Sequence, residues 1–83
     1  MTWNYRIIRH PGDSTSNDWF AVHEVHYDAA GNPVGVTERP VTPGGTTLEE
    51  VIEDMGLMRA AADKPTLDYV LFANMQRGNN GSL

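Results

Sequence analysis

The chain has no cysteine, and that absence removes two chemistries at once. Disulfide bonds and thiolate metal sites are both excluded. Small extracellular domains usually depend on such cross-links, so the expected setting is the cytosol. Long apolar runs are missing as well. The opening residues, MTWNYRIIRH, lack the apolar stretch of a signal peptide. No window approaches the roughly 20 apolar residues that span a bilayer. Positive charge is scarce: six Lys and Arg stand against eleven Asp and Glu, for a net charge of −5. Broad binding to phosphate backbones needs clustered cations. These six are scattered, so nucleic acid is not an expected partner. Length is short too. Eighty-three residues make one domain, and such a domain buries only about 60% of the surface its unfolded chain exposes.

What is present reads as strands first. Trp3, Tyr5 and Ile7 alternate with Asn4, Arg6 and Ile8, a period of two in aromatic and β-branched residues. Pro11 to Asn17 is a polar run of turn formers and reads as a loop. Asp18 to Tyr27 is the second strand, apolar on both faces over Trp19 to Val22 and alternating thereafter. Asp28 to Asn32 reads as a hairpin connection. Pro33 to Glu38 is a third, shorter strand, with prolines that suit a sheet edge.

A helix follows. Thr47-Leu48-Glu49-Glu50 is a capping box. Leu48, Val51, Ile52, Met55 and Met58 or Arg59 recur at helical spacing, and the stripe is expected to pack on the sheet aromatics. Gly56 weakens the middle of the helix by about 1 kcal/mol relative to Ala. Pro65 ends it near Asp63. Leu67 to Phe72, LDYVLF, reads as a fourth strand or an anchoring segment, the strand being preferred. The expected fold is therefore α+β: a three-stranded antiparallel sheet, with an optional short fourth strand, and one helix on one face, in the order β-β-β-α-(β). Residues 1–72 form the domain, and 73–83, polar and rich in Gly and Asn, form a flexible tail.

WNYRI at 3–7, HEVHYD at 23–28, the capped LEEV at 48–51 and KPTLDY at 64–69 together resemble a family of small bacterial proteins without an assigned function. The likeness covers residues 2 to about 69, and the chain departs from the family pattern at His26, where that pattern has Tyr. A second, weaker resemblance is to HicB-type antitoxins. Their helix opens with Gly-x-Thr-x-x-Glu, and Gly45-Thr46-Thr47-Leu48-Glu49-Glu50 matches it. That resemblance implies a three-stranded sheet followed by a helix, and a partner-binding protein that masks a toxin. It brings no catalytic residues.

The remaining chemistry is thin. His23, Glu24 and His26 are the only residues that look like a ligand cluster, and zinc needs about three ligands converging on one point. On a strand only Glu24 and His26 share a face, with His10 able to join from the neighbouring strand. A metal site is therefore not expected, and no cofactor is. Pro43-Gly44-Gly45-Thr46-Thr47 precedes a helix, where phosphates are held. No Lys follows the glycines, and Glu49 and Glu50 would repel an anion. Ser14 and Ser16 lie in no nucleophile elbow. Trp3, Tyr5, Trp19, Phe20 and Tyr27, with Arg6 and Arg9, could stack single-stranded nucleic acid, but core packing is the simpler reading. No catalytic residue is assigned.

One helix covers one face of a sheet. Ile8, Phe20 and Val22 are expected to form an apolar patch on the other. The expected function is a small cytosolic interaction module, antitoxin-like or inhibitor-like, without catalysis of its own. Its candidate interface residues are Ile8, Phe20, Val22, Glu49, Glu53 and Asp54. Its expected partner is a second copy or a larger basic protein. The alternatives are a small enzyme or metal-binding protein using His23, Glu24 and His26, and nucleic-acid binding through the sheet aromatics.

Overall fold

A computed structural model describes residues 2–73. Apart from Ala73, the expected tail lies outside the described residues. Strands β1 (Thr2–His10) and β2 (Trp19–Tyr27) form an antiparallel hairpin, in register from Thr2 opposite Tyr27 to His10 opposite Trp19. Side chains alternate along a strand, so this register sorts the two faces. Trp3, Tyr5, Ile7 and Arg9 of β1 share one face with Phe20, Val22, Glu24 and His26 of β2. Arg6, Ile8 and His10 share the other with Trp19, His23 and Val25.

Strand β3 (Pro33–Val36) pairs antiparallel with β2, and its register shifts between His26 and Tyr27. The turn before it is built on Asp28, whose carboxylate accepts the N–H groups of Ala30 and Asn32, each at 2.9 Å. Gly31 stands there at φ +86°, a conformation that favours glycine. A two-residue strand β4 (Leu67–Asp68) pairs parallel with β1, giving the order β3-β2-β1-β4. The α+β class and the order of elements match the expectation.

Helix α1 (Leu48–Ala60) starts as the capping pattern predicts. The Thr47 hydroxyl accepts the Glu50 N–H at 3.1 Å. The Glu50 carboxylate reaches back to Thr46, taking its N–H at 2.7 Å and its hydroxyl at 2.9 Å. A Cβ at position 45 would stand 2.5 Å from Glu50 Cβ, so this start needs Gly45. The helix lies over the face bearing Trp3 and Tyr5, where the Tyr5 hydroxyl donates to Asp54. A short 3₁₀ turn, Ala61–Asp63, ends it. Among the described residues no helix is long and apolar enough to cross a membrane.

The core sits on the opposite face. After β4 the chain turns helical at residues 69–73, and Phe72 is buried against Ile8 and Val25. Tyr27, Val36, Leu67 and Tyr69 pack around them. This corrects two expectations. LDYVLF is a strand for only two residues, because the Asp68 carboxylate accepts the Val70 N–H at 2.9 Å and starts a helical turn. Ile8 is not part of an open patch: it is fully buried beneath Phe72, and its register puts it on the face away from Phe20 and Val22.

The helix stripe needs a third correction. No residue of α1 itself is buried. The row turned inward is Val51, Asp54 and Met58, leading to buried Ala61. Leu48, Ile52 and Met55 are 70%, 55% and 47% exposed. At roughly 100° per residue, their stripe lies about 110° around the helix from the inward row. Asp54 sets this rotation, because it accepts both the Tyr5 hydroxyl and the Gly44 N–H, the latter at 3.1 Å.

Candidate functional site

The histidines separate into two groups. His23 is fully buried on the core face. Its Nδ1 donates to the Thr37 carbonyl at 2.9 Å, with the Thr37 hydroxyl at 3.3 Å. That leaves Nε2 as an acceptor, and His10 Nε2 lies 2.9 Å away to donate to it. The His10 ring is stacked on Trp19, with centroids 3.8 Å apart, and on Tyr69 at 4.9 Å. Burial lowers both histidine pKa values, and for His10 the neighbouring His23 adds to the effect. Glu24 and His26 stand on the other face, 3.8 Å apart. The candidate ligand cluster of His23, Glu24 and His26 is therefore divided by the sheet, as strand alternation implies. His10 joins His23 and not Glu24 and His26. Among the described residues, no three His, Asp or Glu side chains are grouped to hold a metal ion.

Other sequence features are drawn into the fold itself. In the glycine-rich entry to α1, the N–H groups of Gly44 and Thr46 donate to Asp54 and Glu50. Carboxylates thus occupy two of the N–H groups in this segment and place negative charge beside it. The Ser16 hydroxyl donates to Asp13 at 3.0 Å, as part of a turn organised by that carboxylate. Arg6 donates to the Tyr27 hydroxyl at 2.9 Å and the Pro65 carbonyl at 2.6 Å. Arg9 clasps Asp18 at 2.6 Å and also Asp68, tying the hairpin loop to β4. The sheet aromatics fall on both faces, Trp3, Tyr5 and Phe20 on one and Trp19 and Tyr27 on the other. They do not make one continuous stacking platform.

Between α1 and the sheet runs a shallow groove. Trp3, Tyr5, Leu57 and Ala60 line a cavity of about 370 Å³, with Asn4 and Lys64 at its rim. Trp3 meets Tyr5 edge to face at 5.2 Å. The groove continues into an acidic region of Glu24, Glu50, Glu53 and Asp54. Hydrogen bonding to Asp54 raises the Tyr5 pKa to about 12, with desolvation adding to it.

The outer surface of α1 carries exposed apolar side chains. Leu48, Ile52, Met55 and Arg59 form one stripe, flanked by exposed Glu49 and Glu53. Of the expected interface residues, Phe20 is 59% exposed and Val22 is half-buried beside it on the α1 face. Glu49 and Glu53 are exposed, whereas Asp54 is engaged by Tyr5 and Gly44.

No family model, curated protein or solved structure matches the chain.

Two features were missed in the sequence. One is the His10–His23 pair, which hairpin alternation does signal: with the turn centred on the Pro11–Asp18 loop, both rings fall on one face. The other is the outward direction of the α1 stripe. Its signal is Asp54, a carboxylate in the row that the fold turns toward Tyr5.

Proposed function

We propose that the chain is a small protein-interaction module, without catalysis of its own, whose docking element is the outer face of α1. The observation that carries this reading is a helix with no buried residue and three large apolar side chains, Leu48, Ile52 and Met55, aligned toward solvent. An amphipathic helix presenting anchors at such spacing is a common way to engage a groove on another protein. Glu49 and Glu53 beside the stripe add acidic character, which suits a partner with basic residues at its rim. Masking a larger protein in this way is the antitoxin-like or inhibitor-like mode that the start of the helix resembles. The divided histidines and the carboxylate-occupied donors favour binding over catalysis.

A photo-crosslinking residue at position 52, compared with one at exposed position 29 in the β2–β3 turn, tests the reading in cells. A discrete adduct is expected at 52, none is expected at 29, and Met55→Glu should abolish it. No adduct at 52 would sink the proposal.

A further inference from the structure

We infer that the outer stripe of α1 docks on the same stripe of a second copy, antiparallel across a two-fold axis. This rests on reading the stripe as a docking surface, and it names the occupant. Three features of the helix carry it.

The first is symmetry of spacing. Leu48, Ile52, Met55 and Arg59 are separated by four, three and four residues, a pattern that reads the same in either direction. An isologous interface requires such self-complementarity. In the antiparallel pair Ile52 faces Met55 of the partner, and Leu48 faces Arg59 of the partner.

The second is charge. Arg59 is the only basic residue of α1, and it lies on the stripe, while Glu49, Glu50, Glu53 and Asp54 lie off it. Among the described residues Arg59 reaches Asp63, at 3.7 Å, with both side chains about three-quarters exposed. Reversing one helix against the other brings each Arg59 to the first turn of its partner. There its stem lies along Leu48 and its guanidinium reaches Glu49. Both ends of the interface gain an opposite-charge pair, and no acid is placed in the centre.

The third is Gly56. It follows Ile52 by one helical turn, at the edge of the stripe, and a Cβ there would meet nothing within 4 Å. Among the described residues no packing calls for a glycine in mid-helix, where it disfavours the helix relative to other residues. A second helix approaching closely does call for it: the missing side chain leaves a hole for the partner's Ile52. Two 13-residue helices bury less than the roughly 800 Å² per partner of a standard interface, so micromolar affinity is expected.

Sedimentation equilibrium of the full chain, from about 1 μM to about 1 mM, tests this. The wild type should be a dimer at the upper concentrations. Ile52→Glu should weaken it by at least about tenfold, with an unchanged circular dichroism spectrum because position 52 is exposed. Gly56→Gln should raise helicity and yet weaken the dimer, a pair of opposite signs that a purely structural glycine would not give. Arg59→Glu should weaken it, and Arg59→Glu with Glu49→Arg should restore it. A monomer throughout the range would overturn the inference. So would a dimer indifferent to Ile52→Glu and Gly56→Gln, which would place the contact elsewhere, as at Phe20. Failure of the double substitution to restore pairing would overturn the antiparallel arrangement. If the crosslink at position 52 captures a different protein while the chain stays monomeric, the docking reading stands and the second copy does not.

Discussion

The two faces of the sheet are covered in different ways. On one, residues 69–73 bring Phe72 down on Ile8 and Val25, and these three side chains are at most 1% exposed. On the other, α1 is held by the Tyr5–Asp54 and Gly44–Asp54 hydrogen bonds and by its N-terminal cap, and buries none of its own residues. The first face is closed by apolar contact, which is roughly proportional to buried area. The second is closed by a few directional bonds, each contributing about 1 kcal/mol net. Stability should therefore be concentrated under Phe72, leaving α1 free to present its apolar stripe outward.

The sharpest break of that contrast is in the core. Phe72→Ala should cost about 3–5 kcal/mol and Ile8→Ala about 2–5 kcal/mol, as expected for cavities in a packed interior. Urea melts with an unchanged m-value would measure this. A loss below about 1 kcal/mol at Phe72, well under the usual range for a buried aromatic, would mean that the two faces are not so unequal.

A second test uses acid. His10 and His23 sit on the Phe72 side, and both have pKa values below the ordinary 6.5, chiefly through burial. The unfolded chain therefore binds more protons than the folded one between the folded values and about 6.5. The stabilising effect is complete above about 6.5 and is lost as pH falls below it toward the folded values. Asp13, Asp18, Asp28, Glu50 and Asp68 have pKa values below their ordinary ones of 3.8 to 4.5, so their contributions fade only in stronger acid. The urea midpoint should hold steady from pH 8 to about 7 and fall as the pH drops below about 6.5. His23→Leu with His10→Ala should flatten that fall. A midpoint that rises on acidification would contradict the buried neutral pair.

Much of the framework was legible in the sequence, and the reasons are local. Period-two alternation from Trp3 to Arg9, and over the second half of Asp18 to Tyr27, marked the two strands, and Thr47 with Glu50 marked the helix start. Which surface each element buries was less legible, because it depends on contacts distant in sequence. Leu48, Ile52 and Met55 make a real stripe, yet periodicity cannot say whether a stripe faces its own sheet or solvent. The Tyr5–Asp54 bond, across 49 residues, decides that. Likewise LDYVLF shows apolar character, while the Asp68 carboxylate on the Val70 N–H makes it a helical turn beyond residue 68. The His10–His23 pair needed only the hairpin register, but a single strand places its histidines without saying which neighbour they meet.

The smallest expected effect sharpens the comparison most. Ile52 is a β-branched apolar residue in the middle of a helix, and sequence pattern alone would assign Ile52→Ala a loss of about 2–5 kcal/mol as a buried side chain. Its 55% exposure reverses that expectation. Few contacts are lost on truncation, and Ala is the better helix former. In dilute protein, below the concentration at which copies would pair, Ile52→Ala should change stability by no more than about 0.5 kcal/mol, the range of ordinary surface substitutions. Met55→Ala should behave alike. At high concentration the same substitutions should lower the melting temperature, because a partner that binds only the folded chain adds stability by mass action. Melts at two concentrations separate the terms: a loss in both would put Ile52 in the core after all, and a loss only in concentrated protein would place its role between molecules.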